Sequence, residues 1–174
     1  KLAKQRQFPL NDMVKVAAEV SSGKLTREQG EKNTFNHSFD EQLRYEAIAI
    51  GASTGGPMAI EQILNGLPAN LNIPVIIAQH MPEQFLRSFA KRLDRTIPLK
   101  VKLAERGEVL TGGVIYVLPG HKNSHVIRDI NTNQSIFNFT RQEYKEFNFP
   151  SIDGLFMSMA EAYGQKLIGI VLTG

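Results

Sequence analysis

The chain has 174 residues, no cysteine, an apolar fraction of 42% and a formal charge of +3. That length supports one domain with a tail, and the missing cysteines exclude disulfides, thiolate nucleophiles and cysteine–zinc sites. No apolar run approaches the ~20 residues of a membrane span. The positive charge is spread thinly: residues 1–45 hold eight Lys/Arg against six Asp/Glu, and the remainder twelve against eleven. A phosphate backbone requires a clustered basic face, so a nucleic-acid partner is not expected.

Residues 1–45 read as a linker or tail. Lys1-Leu2-Ala3-Lys4-Gln5-Arg6 is basic but leads into no apolar h-region, so it is not a signal peptide, and a cytoplasmic protein is expected. A short helix over Asp12–Val20 would put Met13, Val16, Ala17 and Val20 on one face. Beyond Ser21-Ser22-Gly23 the stretch is polar and without period, and His37 within it is expected to be solvated. From Tyr45 the pattern alternates between strand and helix. A strand over 45–50 leads to a helix from Pro57 to Asn65, and a strand over 74–78 leads to a helix from Glu83 to about Leu93. In that second helix Leu86, Phe89, Ala90 and Leu93 form an i, i+3, i+4, i+7 stripe. Two successive βα units imply a parallel sheet. Leu99–Leu103 alternates as a half-exposed strand should, 114–118 is apolar throughout, and 124–128 with 135–140 would pair as a hairpin around Asn131-Thr132-Asn133. Ser151 is placed to cap a helix ending near Tyr163, with Gly164 as its C-cap, and 167–172 reads as a buried strand. The predicted class is α/β: a doubly wound, mostly parallel, Rossmann-like sheet flanked by helices, with one antiparallel hairpin.

Chemistry concentrates at the first strand-to-helix turn. Gly51, Ser53 and Gly55 fit G-x-S-x-G, a turn that holds a serine hydroxyl above a sheet edge, and Pro57 suits a first helical turn. Small residues at a βα turn are more often only a turn. A dinucleotide fingerprint would need glycine where Ser53 stands, and an acidic residue at the end of the next strand, which instead ends in Gln79-His80. A Walker A loop needs a lysine that this turn lacks. Ser53 and His80 would thus stand at the C-terminal ends of neighbouring strands, as nucleophile and base. The Thr54 backbone N–H is a candidate oxyanion donor. Among carboxylates, Asp153 suits the helix dipole, while Glu83 and Asp94 flank a helix and are expected to be solvated. His121 and His125 form H-x-x-x-H without the glutamate of a zinc-protease helix. No metal and no cofactor are expected. Arg87 and Lys91, i and i+4, read as a solvated face that could steer an acidic protein partner.

Six segments stand out together: Gly51-Ala52-Ser53-Thr54-Gly55-Gly56-Pro57, Gln79-His80-Met81-Pro82, the Ser88–Leu93 run, Val114 to Gly120, Pro150-Ser151-Ile152-Asp153 and Ile170-Val171-Leu172-Thr173-Gly174. In this order they resemble the catalytic domain of the CheB family, the chemotaxis response-regulator methylesterases. The resemblance covers about residues 46–174. It implies a serine hydrolase that demethylates glutamate γ-methyl esters on the cytoplasmic helices of chemoreceptors, and often deamidates receptor glutamines. Ser53 would be its nucleophile and His80 its base. It also implies a regulatory receiver domain before the linker, and a triad aspartate just past the Thr-Gly motif, so a C-terminal part of the domain is expected to be missing from 46–174. Residues 145–149 depart from the more basic family sequence, which bears on substrate contacts. Two alternatives stay open: a catalytically incomplete binding or regulatory module of the same fold, and a Rossmann-like nucleotide binder, disfavoured by Ser53 and His80.

Overall fold

The computed structural model describes residues 44–140 and 149–173. The tail readings, with Met13, Val16, Val20 and His37, lie outside the described residues, as do positions 145–148. The described chain runs β1 (Ala47–Ala52), α1 (Gly56–Asn65), β2 (Val75–Gln79), α2 (Glu83–Thr96), β3 (Lys100–Leu103), β4 (Val114–Val117), β5 (Asn123–Arg128), β6 (Ser135–Thr140), α3 (Ile152–Tyr163) and β7 (Leu167–Val171). Five strands form one parallel sheet in the order β3-β4-β2-β1-β7, and β5 pairs antiparallel with β6.

The apolar runs explain this order. Every residue of β1 and β2 is buried, as strands in the middle of a sheet covered on both faces must be. Their side chains divide by parity between two cores. Ile48, Ile50, Val75, Ile77, Ile115 and Val117 join Ile60, Ile63 and Leu64 of α1 and Leu86, Phe89 and Leu93 of α2. Ala47, Ala49, Ile76, Ala78 and Tyr116 join Leu155 and Met159 of α3 and Val126 and Phe137 of the hairpin. The small alanines on this second face let α3 approach the sheet, while each fully buried isoleucine or leucine contributes about 1.5–3 kcal/mol. Three layers result: two helices, a sheet, then a helix with a hairpin.

Local signals act as expected at most ends. The Ser151 side chain accepts a hydrogen bond from Gly154 N–H at 2.9 Å, a cap that contributes about 1 kcal/mol. Gly164, with φ of 54°, ends α3 and leads into a 3-10 turn. The helix after His80 runs past the expected end near Leu93 to Thr96, and Ile97 turns extended before Pro98, where the proline disfavours a helical residue ahead of it. Asp94 is exposed, as expected, and its Oδ1 also accepts from Val101 N–H at 2.8 Å, which ties α2 to the start of β3.

The last strand also differs from its reading as a buried element. Among the described residues β7 pairs only with β1, and Val171 is 67% exposed. An apolar run cannot by itself tell a central strand from one at the side of a sheet.

At the other end of β1, Glu46 receives Arg128 at 2.9 Å and Lys166. The Lys166 hydrogen bond, with Arg128 beside it, outweighs burial and holds the carboxyl below its ordinary value of 4.5.

Candidate functional site

The strand order reverses at β1, whose neighbours are β2 on one side and β7 on the other. Ligands of open α/β sheets bind at such a point, outside the carboxyl ends of the strands. Ser53 follows β1 there and is half-buried. Its N–H donates to Thr173 O, and its own carbonyl accepts from Gly56 N–H, both at 2.9 Å. The Thr173 hydroxyl donates to Thr54 O, so the turn is fixed from the β7 side as well. Gly55 has φ of 79°, a left-handed conformation that costs a side chain about 1–2 kcal/mol. Its neighbour Gly56 is required for a different reason: a Cβ there would lie 2.0 Å from Gln79 Oε1 and 2.7 Å from Ala52 Cβ.

His80 follows β2. The register pairs Ala52 with Gln79, and His80 N–H donates to Ala52 O at 2.9 Å, so Ser53 and His80 leave adjacent strands side by side. His80 Nε2 is buried and has no hydrogen-bond partner among the described residues. That leaves Nε2 as the ring nitrogen open to a partner, and catalytic hydrogen bonds often tighten only once substrate is bound. The Thr54 N–H is likewise without a partner among the described residues.

One residue that reads in the sequence only as a strand end is part of this arrangement. Gln79 is 1% exposed. Its Nε2 donates to the carbonyls of Ser53 at 2.8 Å and of His80 at 3.0 Å. The signal that could have found it is parity: Val75 and Ile77 point into the α1/α2 core, and Gln79 continues that side of the strand with a polar group.

Glu83 is not the solvated flanking residue expected. Its carboxylate accepts from Gly120 N–H and sits 3.1 Å from both His121 Nδ1 and Arg87. Burial raises the carboxyl, but the bonds from His121 and Gly120 and the nearby charges outweigh it and hold Glu83 below its ordinary 4.5. His121 therefore serves Glu83, while His125 lies on β5, where burial pushes its imidazole down. Lowered carboxyls at Glu46 and Glu83 contribute stability that is complete above about pH 4.5 and lost as pH falls through their folded values. The melting temperature is expected to drop on acidification below that point. Glu46→Gln and Glu83→Gln should each cost a few degrees at pH 7 (about 2–4 °C for each kcal/mol lost). Calorimetry at pH 7 and pH 3.5 should show that difference shrink in acid.

Beside Glu83 an open cavity of about 390 Å³ is lined by Glu83, Arg87, Leu103, Arg106, His121 and Phe139. Neither Ser53 nor His80 lines it, so it flanks the serine turn rather than containing it. Among the described residues no three His, Asp or Glu side chains are grouped as metal ligands, and no helix is long and apolar enough to cross a membrane.

A parallel sheet covered on both faces, with a serine turn at its order reversal, defines a doubly wound α/β protein. Sequence comparison narrows that class: the profile of one family, CheB methylesterase, matches residues 48–174. The chain belongs to the CheB methylesterase family. It is 46% identical over 127 residues to protein-glutamate methylesterase/protein-glutamine glutaminase 1 of Saccharophagus degradans, a match covering 73% of this chain and 34% of that protein. It is 35% identical over 150 residues to the protein-glutamate methylesterase/protein-glutamine glutaminase of Methanosarcina barkeri, covering 85% and 41%. The crystal structure of the Thermotoga maritima CheB methylesterase catalytic domain superposes with a TM-score of 0.71 at 35% identity, covering 75% of this chain and 68% of that one. The chain thus spans well under half the length of the curated relatives it matches.

Proposed function

We propose that this chain carries the catalytic part of a serine-type protein-glutamate methylesterase, within a catalytic domain taken as residues 46–174. The observation that carries the reading is Ser53 and His80 on adjacent parallel strand ends, joined through the Ala52 carbonyl and the His80 N–H. In the reaction, Ser53 Oγ attacks the side-chain carbonyl of a glutamate γ-methyl ester while its proton passes to His80. The oxyanion that forms accepts from the Thr54 N–H, a fixed dipole that needs no reorganisation as charge develops. Collapse breaks the C–OMe bond, and the imidazolium gives its proton to the departing methoxide, so methanol leaves and an acyl-serine remains. Water, deprotonated by His80, then releases glutamate and restores Ser53. A glutamine side chain enters the same sequence with ammonia as leaving group, which accounts for the second activity named for the relatives.

The substrate class that follows is the cytoplasmic signalling helices of methyl-accepting chemoreceptors, acted on in the cytoplasm, with a regulatory receiver domain as a further partner. Methylated receptor fragments incubated with the protein are expected to release methanol, measured by headspace chromatography, and unmethylated fragments none. Absence of methanol release from the methylated fragments would overturn the reading.

A further inference from the structure

Four of the five residues of β2 are apolar, and the fifth, Gln79, is a fully buried amide. Which way that amide points is settled by its neighbours. It faces two carbonyl oxygens, Ser53 O at 2.8 Å and His80 O at 3.0 Å, so only the NH2 end, with two donors, can occupy that side. The other end, Oε1, then lies against α1 with no partner among the described residues. Space for it exists only because residue 56 is glycine.

Leaving Oε1 unsatisfied in a dry interior is unfavourable, and an apolar residue on β2 would avoid it. The need for a donor does not come from Ser53 O, which already accepts from Gly56 N–H at 2.9 Å. What the amide adds is a single group that holds the backbone of the proposed nucleophile and of the proposed base at once. Past the last register pair, Ala52 and Gln79, the one backbone bond between these two strand ends runs from His80 N–H to Ala52 O, and the backbone of Ser53 is tied toward Thr173 instead, so the Gln79 amide is the group that links residues 53 and 80 themselves.

We infer that Gln79 is a positioning residue: its side-chain amide sets the separation of Ser53 and His80 and thereby the efficiency of proton transfer between them. The inference rests on the methylesterase reading above, and deepens it. A displacement of the order of 1 Å at a reacting pair can cost about 10²-fold. Gln79→Met keeps the length and bulk of the side chain and removes both donors. In the protein assayed on methylated receptor fragments, kcat should fall about 10- to 100-fold with KM within about twofold of wild type. Phosphonylation of Ser53 by a fluorophosphonate, read by mass spectrometry, should slow by a similar factor.

These readouts separate the two ideas. Wild type that is phosphonylated at Ser53 but releases no methanol overturns the esterase reading, and the phosphonylation rate of Gln79→Met still decides the role of Gln79. Wild type unreactive at Ser53 overturns both. A folded Gln79→Met protein with kcat and phosphonylation rate within about twofold of wild type overturns the positioning role alone, as does a rise in KM at unchanged kcat. If Gln79→Met does not fold, Gln79→Leu, which also lacks both donors and buries no polar group, is read against the same outcomes. In the unaltered protein the Gln79 side-chain NH2 protons should resist solvent exchange by NMR; fast exchange there overturns the inference independently of any variant.

Discussion

Replacing Ser53 by alanine is expected to abolish methanol release, lowering kcat on the order of 10⁴-fold or more. That size follows from how nucleophile and base act as a unit: in a serine hydrolase, loss of the serine alone costs about as much as loss of the whole triad, up to about 10⁶ in kcat. Binding contacts and the Thr54 N–H survive the substitution, so KM and the affinity for methylated receptor should change little. The fold should also survive. Ser53 is held through its backbone, by Thr173 O and Gly56 N–H, and only its half-buried hydroxyl is lost. The measurement is single-turnover methanol release together with a melting curve. Near-wild-type release from a folded Ser53→Ala protein would remove Ser53 from the mechanism and return the arrangement to a plain turn. His80→Ala provides the matching test of the base, with Nε2 as the atom removed.

Much of the fold could be read from the residues because the short apolar runs of β1, β2 and β4, set between turn residues and helical stripes, carry it directly. Ile48/Ile50 and Ala47/Ala49 already divide by parity in the sequence, and the two cores divide the same way. The hairpin followed from its Asn-Thr-Asn turn, with Asn133 at φ of 57°. What alternation cannot carry is lateral position in the sheet. The Leu167–Val171 run has the composition of a central strand, yet lies at one side of the described sheet, because strand order is decided by which layers the helices cover and not by the strand's own residues. Side-chain partners of polar residues were equally out of reach. Glu83 and Asp94 look alike in sequence, as charges at either end of an amphipathic helix. One bonds a backbone N–H 37 positions away and the other one seven positions on, and neither separation has a local signature. For the site, the types and order of Ser53 and His80 were visible. The amide joining them was not, since a glutamine closing a buried strand reads as a boundary until the parity of β2 is fixed against α1.

Gly56→Ala is the substitution expected to damage fold and site together. In an ordinary helix first turn, alanine for glycine is favourable by about 1 kcal/mol. Here the added Cβ would lie 2.0 Å from Gln79 Oε1 and 2.7 Å from Ala52 Cβ, separations that real atoms do not adopt, so α1 or Gln79 must move. Overpacking of this kind costs about 1–3 kcal/mol, so after the propensity gain the net loss is up to about 2 kcal/mol, a fall in melting temperature of up to about 8 °C for a chain of this size. The direction of the movement matters more than the loss. Displacing Gln79 breaks its bonds to the Ser53 and His80 carbonyls, and kcat should therefore fall by at least about tenfold in protein that is still folded at the assay temperature. Gly107→Ala is the comparison. That residue has φ of 78°, but a Cβ added there would meet nothing within 4 Å, so strain alone should cost it about 1–2 kcal/mol and leave kcat unchanged. If Gly56→Ala likewise loses stability while keeping full kcat, the contact between α1 and Gln79 is packing only, and the turn holds Ser53 without help from the strand beside it.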